Sequence, residues 1–166
     1  MNGFTERRAS GAERSGSSDR VLTWGASHAM LPLAGRIAAD IVRYEEQRAR
    51  LQPEMARLDR LRHTLDWPRR SRRYQLQEEI AAVEANLRQA QAELEGLGLT
   101  LLHLPSGLIG FPTLVNNRRA FFSWQPGEES LAFWNYAGDD VRRPVPAAWT
   151  KPPKARARRG KSKPKE

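Results

Sequence analysis

Leu76, Ile80, Val83, Leu87, Ala90, Leu94 and Leu97 follow one another at alternating steps of four and three residues. That spacing returns every one of them to the same side of an α-helix, and the Gln, Glu and Arg residues between them make the remaining faces polar. A helix with one apolar stripe needs a partner to cover it, and the chain carries a second stripe. Positions 37, 41, 44, 48, 51, 55, 58, 62 and 65 read Ile, Ile, Tyr, Arg, Leu, Met, Leu, Arg and Leu, seven of the nine apolar. Arg48 and Arg62 fit the pattern by reaching outward along their aliphatic stems. Pro53 removes a hydrogen bond inside this run, which predicts a kink. Upstream, Thr23 suits an N-cap before "WGASHAML", and Pro32 ends a short helix or opens the next.

Between the helices lies "DWPRRSRR". Asp66 caps the second helix with Pro68 in its first turn, or Ser71 caps it one turn later. A connection this short makes the helices antiparallel neighbours with a coiled-coil-like seam about 30 Å long. Pairing of the stripes between two chains, as a homodimer, is the alternative that periodicity leaves open. Gly96 and Gly98 stop the second helix, and the pattern then turns to β: "LTLLHL", "LIGF", "AFFSW" and "LAFWNY", separated by Pro, Gly and Asn turns. The expected fold is α+β, a long antiparallel helical hairpin (27–97) followed by a small four-stranded antiparallel β module (98–147). These form one domain, 21–147, between a disordered N-terminal segment, 1–20, and a disordered basic tail, 148–166.

The net charge of +9 is unevenly distributed. Residues 151–166 hold eight Lys or Arg against the single Glu166, a net +7, while residues 1–20 and 21–150 carry +1 each. All five lysines lie in that tail. The absence of cysteine excludes disulfides, thiolate nucleophiles and Cys-ligated metals. No apolar run approaches the roughly 18 residues of a membrane span, and the opening "MNGFTERRASGAERSGSSDR" lacks the apolar centre of a signal peptide, so a cytoplasmic protein is expected.

The stretch "GLIGFPTLVNNRRAFFSWQPGEESLAFWNYAGDDVRRPVP", residues 107–146, resembles the family catalogued as domain of unknown function 2203. Members show a Gly-Leu-Val-Asp-Phe-Pro segment, a Trp followed closely by Gly-Glu, an aromatic-Trp-His step and an Arg-Arg-Pro close. The matching residues are Gly107, Leu108, Phe111 and Pro112; Trp124, Gly127 and Glu128; Phe133 and Trp134; and Arg142, Arg143 and Pro144. "HAMLPLAGRIAADIV" is similar to the family's opening helix, so the resemblance covers roughly 21–147. Gly110 stands where the family carries an acidic residue and Asn135 where it carries histidine. If other members build a metal or acid-base site there, this chain keeps only Glu128 of the three. The resemblance implies a helical hairpin joined to a β unit and no established activity.

"FFSWQPGEESLAFWN", residues 121–135, is either a small apolar core or an aromatic floor for a ligand. The core reading is favoured, because a small sheet is unstable without one apolar face. The ligand alternative is built around Trp124, Glu128, Trp134 and Arg142. Glu128 without a neighbouring histidine favours a salt bridge over acid-base chemistry. His28, His63 and His103 lie in separate elements without ligand spacing, so neither a metal nor a cofactor is assigned, and no catalytic residue is named. Two cationic features point to nucleic acid or a ribonucleoprotein. One is the tail, through Lys151, Lys154, Arg156, Arg158, Arg159, Lys161, Lys163 and Lys165; the other is the hairpin tip, through Arg69, Arg70, Arg72 and Arg73. The leading expectation is a non-enzymatic adaptor with a basic tail, its helical hairpin offering free faces to a protein partner.

Overall fold

In a computed structural model, which describes residues 20–151, helix α1 runs Trp24–Arg60 and helix α2 Trp67–Gly96. Most of the two segments read as disordered, residues 1–19 and 152–166, lies outside the described residues. Thr23 caps α1 by accepting the Ala26 N–H at 3.2 Å, and Asp66 caps α2 by accepting the Arg69 N–H at 3.1 Å, with Pro68 in the first turn. Asp66 therefore starts the second helix, and Ser71 lies inside it.

α1 is one helix through both Pro32 and Pro53, so Pro32 neither ends a helix nor opens one. Each proline is exposed, and so are His28 and Ala49, whose carbonyls lose their helical donor. Water can take those carbonyls, which spares the helix a buried unsatisfied group.

The two stripes pair within the chain. Ile37 and Ile41 of α1 are buried with Leu87, Ala90 and Leu94 of α2 at the base, and Leu58, Leu65 and Leu76 form a second cluster near the turn, with Leu51 and Met55 against it. Arg48 does not reach outward: it is partly buried and held by Glu45 at 2.7 Å. Arg62 lies beyond the end of α1, in the turn, where it donates to His63.

Five strands follow, one more than expected: β1 (Thr100–His103), β2 (Leu108–Val115), β3 (Arg118–Trp124), β4 (Phe133–Tyr136) and β5 (Arg143–Pro144). They form an antiparallel meander in chain order. β2 continues through Pro112, past the "LIGF" expected to bound it. The Pro112 carbonyl accepts the Leu22 N–H at 2.7 Å, so the side on which Pro112 lacks a donor faces chain that precedes α1, where β1 has already run out. Asn116 and Asn117, both at positive φ (51° and 59°), make the tight β2–β3 turn.

Ile109, Phe111, Ala120, Phe122, Trp124 and Trp134 share one sheet face by register and join the helix core. Gly107 lets the β1–β2 turn approach α1. Its φ is +65°, and a Cβ there would lie 2.7 Å from Val42 Cγ2 and 3.0 Å from the Ala38 carbonyl. The short helix α3 (Ala147–Thr150) crosses the boundary at 147/148 and extends into the segment expected to be tail. Trp149 in it packs against Phe122 and Trp134, with ring centroids 6.3 Å and 5.4 Å away.

Candidate functional site

Three of the four residues of the aromatic ligand alternative are brought together. Arg142, just before β5, reaches across the Phe133 ring, its guanidinium carbon 4.5 Å from the centroid. It donates Nη1 to Glu128 Oε1 at 2.6 Å and Nη2 to Oε2 at 2.9 Å. On β3 it also donates Nε to Ser123 Oγ at 3.0 Å and Nη2 to the Ser123 carbonyl at 2.9 Å. Glu128 Oε2 further accepts the Gln125 N–H, and the Glu128 carbonyl accepts the Trp124 indole N–H at 3.0 Å. Both carboxylate oxygens and nearly the whole guanidinium fork are therefore engaged. The side chains are only 22% and 18% exposed.

This is a bidentate clasp that fastens β5 and the 125–128 turn to β3. Trp134 lies apart from it on the helix-facing side, edge-on to Tyr136 with the ring centroids 5.0 Å apart. Trp124 and Trp134 are 9% and 8% exposed, so neither forms an open aromatic floor.

The opposite sheet face holds a cleft of about 570 Å³, lined in part by Leu102, His103, Phe121, Asn135, Asp139 and Arg142. Asn135 donates both amide hydrogens, to the Tyr136 and Asp139 carbonyls, and its buried Oδ1 has no partner among the described residues. The Val141 N–H and then the Arg143 guanidinium hold the Asp139 carboxyl below its usual pKa. Gly110 and Asn135, the two departures from the family pattern, both belong to this outer face by register. A Cβ on Gly110 would sit 2.8 Å from the Phe121 ring and 3.0 Å from Leu102 Cδ1. Phe121 and Leu102 therefore occupy the space a side chain at 110 would need.

The four tip arginines divide into two pairs. Arg72 grips Glu54 through Nε and Nη2 at 3.1 Å and 3.0 Å and reaches Glu79 at 3.2 Å, while Arg73 holds Asp59 at 2.6 Å. The hydrogen bond to Glu54 comes first among the causes that raise the Arg72 pKa, and its counterpart lowers that of Glu54. These two arginines staple α2 to α1. Arg69 and Arg70 stay exposed: Arg69 lies 4.0 Å from Asp66, and Arg70 gives one bond to the Leu65 carbonyl.

Beside them stand Trp67 and Tyr74, 74% and 55% exposed, which sequence reasoning passed over. The available signal was that neither falls on an apolar stripe. Of the tail residues, Lys151 is exposed at the end of α3; Lys154, Arg156, Arg158, Arg159, Lys161, Lys163 and Lys165 lie outside the described residues. Each histidine has a local neighbour: His28 stacks on Trp24, His63 accepts from Arg62, and His103 bonds Ser106. Among the described residues no His, Cys, Asp and Glu group could hold a metal ion, and no helix is long and apolar enough to cross a membrane.

The family model described as "Uncharacterized conserved protein (DUF2203)" matches residues 20–145. Comparison with curated proteins and with solved structures gave no match.

Proposed function

We propose that this chain, which belongs to the DUF2203 family, is a non-enzymatic adaptor whose cationic ends attach it to nucleic acid or a ribonucleoprotein. The observation that carries the reading is the segregation of charge: eight Lys or Arg against one Glu in residues 151–166. Such a segment associates with polyphosphate backbones by releasing their counterions and requires no sequence reading. Trp149, two residues before this segment, packs on the sheet at the base of the helical arm. Arg69 and Arg70 sit at the other end of α2, a helix of 30 residues and hence about 45 Å long. Two cationic contacts at opposite ends of a stiff arm suit a spacer or adaptor. The engagement of Glu128 and Arg142 by each other supports a structural role for that pair over a chemical one.

The test is fluorescence anisotropy with generic RNA and DNA over a range of salt, comparing the full chain with one ending at Trp149. The full chain should bind more tightly, and its log–log salt slope on duplex should be steeper by up to about 6, from about 0.9 per phosphate neutralised. Equal affinity and equal slope would remove the tail from the account.

A small-molecule site on the β module is the second reading. It is favoured by the outer-face cleft, which Asn135, Asp139 and Arg142 help to line. A thermal-shift screen with nucleotides, acidic metabolites and divalent ions tests it: a ligand-dependent rise in Tm supports a site, and a flat response removes it.

A further inference from the structure

We infer that Trp67 and Tyr74 are stacking platforms for the bases of single-stranded nucleic acid, with Arg69 and Arg70 holding its phosphates. This inference rests on the nucleic-acid reading above and assigns the strand type to the arm's tip. The two rings are seven residues apart on α2, so they lie on one helix face about 10 Å apart, far enough for each to take its own base. Both are mostly solvent-exposed, and neither packs into the cluster of Leu58, Leu65 and Leu76 nearby. Arg70 stands between them on the same face, three residues after Trp67 and four before Tyr74. The Arg73 guanidinium carbon lies 5.9 Å from the Tyr74 ring centroid.

Residues 57–74 hold seven arginines and two aspartates, which favours a polyanion. Of the arginines there, Arg72 and Arg73 are committed to Glu54, Glu79 and Asp59, while Arg69 and Arg70 keep free donors. Exposed aromatics interleaved with arginine suit unpaired bases, whose faces are open, whereas a duplex keeps its bases stacked inside. Glu78, one turn beyond Tyr74, ends the cationic stretch and limits the track to these two platforms.

The experiment titrates labelled oligouridylate, oligothymidylate and a DNA duplex with the full chain and its Trp67→Ala, Tyr74→Ala and Trp67→Phe variants. Circular dichroism melts confirm that each variant folds. Trp67→Ala should weaken binding to the single strands about tenfold, while its duplex affinity stays within about twofold and Trp67→Phe retains most of the single-strand affinity. A loss confined to one sugar type supports the inference and names the strand. Single-strand binding by Trp67→Ala equal to wild type, or an equal loss on duplex, overturns the stacking role and leaves the tail reading standing. Failure of the wild-type chain to bind any strand overturns both and leaves the tip to a protein partner.

Discussion

Arg142→Ala should cost the fold far more than an ordinary surface substitution. The guanidinium makes two short charge-assisted bonds to Glu128 and two more to Ser123, and it packs on Phe133. Stranding one partner of a fully buried ion pair costs about 3–5 kcal/mol. Because these side chains remain 22% and 18% exposed, water recovers part of that, and about 2–3 kcal/mol is expected. For a body of this size each kcal/mol moves Tm by about 3 °C, so the melt should fall by about 6–9 °C. Glu128→Gln should do somewhat less, since the amide still accepts one bond. The double variant should lose less than the sum, with a coupling of at least about 1.5 kcal/mol. The assay is thermal unfolding by circular dichroism, backed by urea titration. A fall below about 2 °C for Arg142→Ala, or strict additivity in the cycle, would refute the clasp and return Glu128 and Arg142 to the list of free functional groups.

Leu94, fully buried between the helices, should lose about 3 kcal/mol on Leu94→Ala, measured by urea unfolding. Gly107→Ala meets both a positive φ and the Val42 side chain, and should destabilise by about 2 kcal/mol or more, whereas Gly127→Ala, with open space around it, should lose only the cost of its own positive φ. Asp139 and Glu54 have lowered folded pKa values, from the Val141 N–H and the Arg72 hydrogen bond respectively. Their stabilisation is therefore complete above the ordinary carboxylate range and is lost as pH falls through the lowered folded values. Asp139→Asn and Glu54→Gln should each flatten the acid limb of a Tm-against-pH curve, and an unchanged limb would contradict the assigned pairing.

The hairpin was legible because a four-three stripe is itself a statement of burial: Leu76, Leu87 and Leu94 are nearly or fully buried, as their spacing demands. Pro32 was over-read as a helix boundary, since α1 runs through it. The cost of an interior proline depends on whether the freed carbonyl meets water, and burial at His28 is decided by what packs on the helix. β5 was invisible because Arg143 and Pro144 carry no strand pattern; Arg142, through contacts to residues 14 and 19 positions earlier, holds that segment in place. The same long-range clasp explains why the candidate site could be named residue by residue but not understood. Trp124, Glu128 and Arg142 do lie in contact, Trp134 does not join them, and their mutual saturation depends on geometry that no local pattern encodes. Likewise, "RRSRR" showed four equivalent charges, and only the facing helix, with Glu54 and Asp59, separates Arg72 and Arg73 from Arg69 and Arg70.

The chain has five tryptophans, each with one indole N–H resonance. A titration of the labelled protein with single-stranded RNA, followed at those five peaks, tests most directly whether the charged ends bind while the aromatic sheet serves as core. The Trp67 peak should shift progressively, and those of Trp24, Trp124 and Trp134 should stay in place. Movement of Trp124 or Trp134 with Trp67 unmoved would contradict the account.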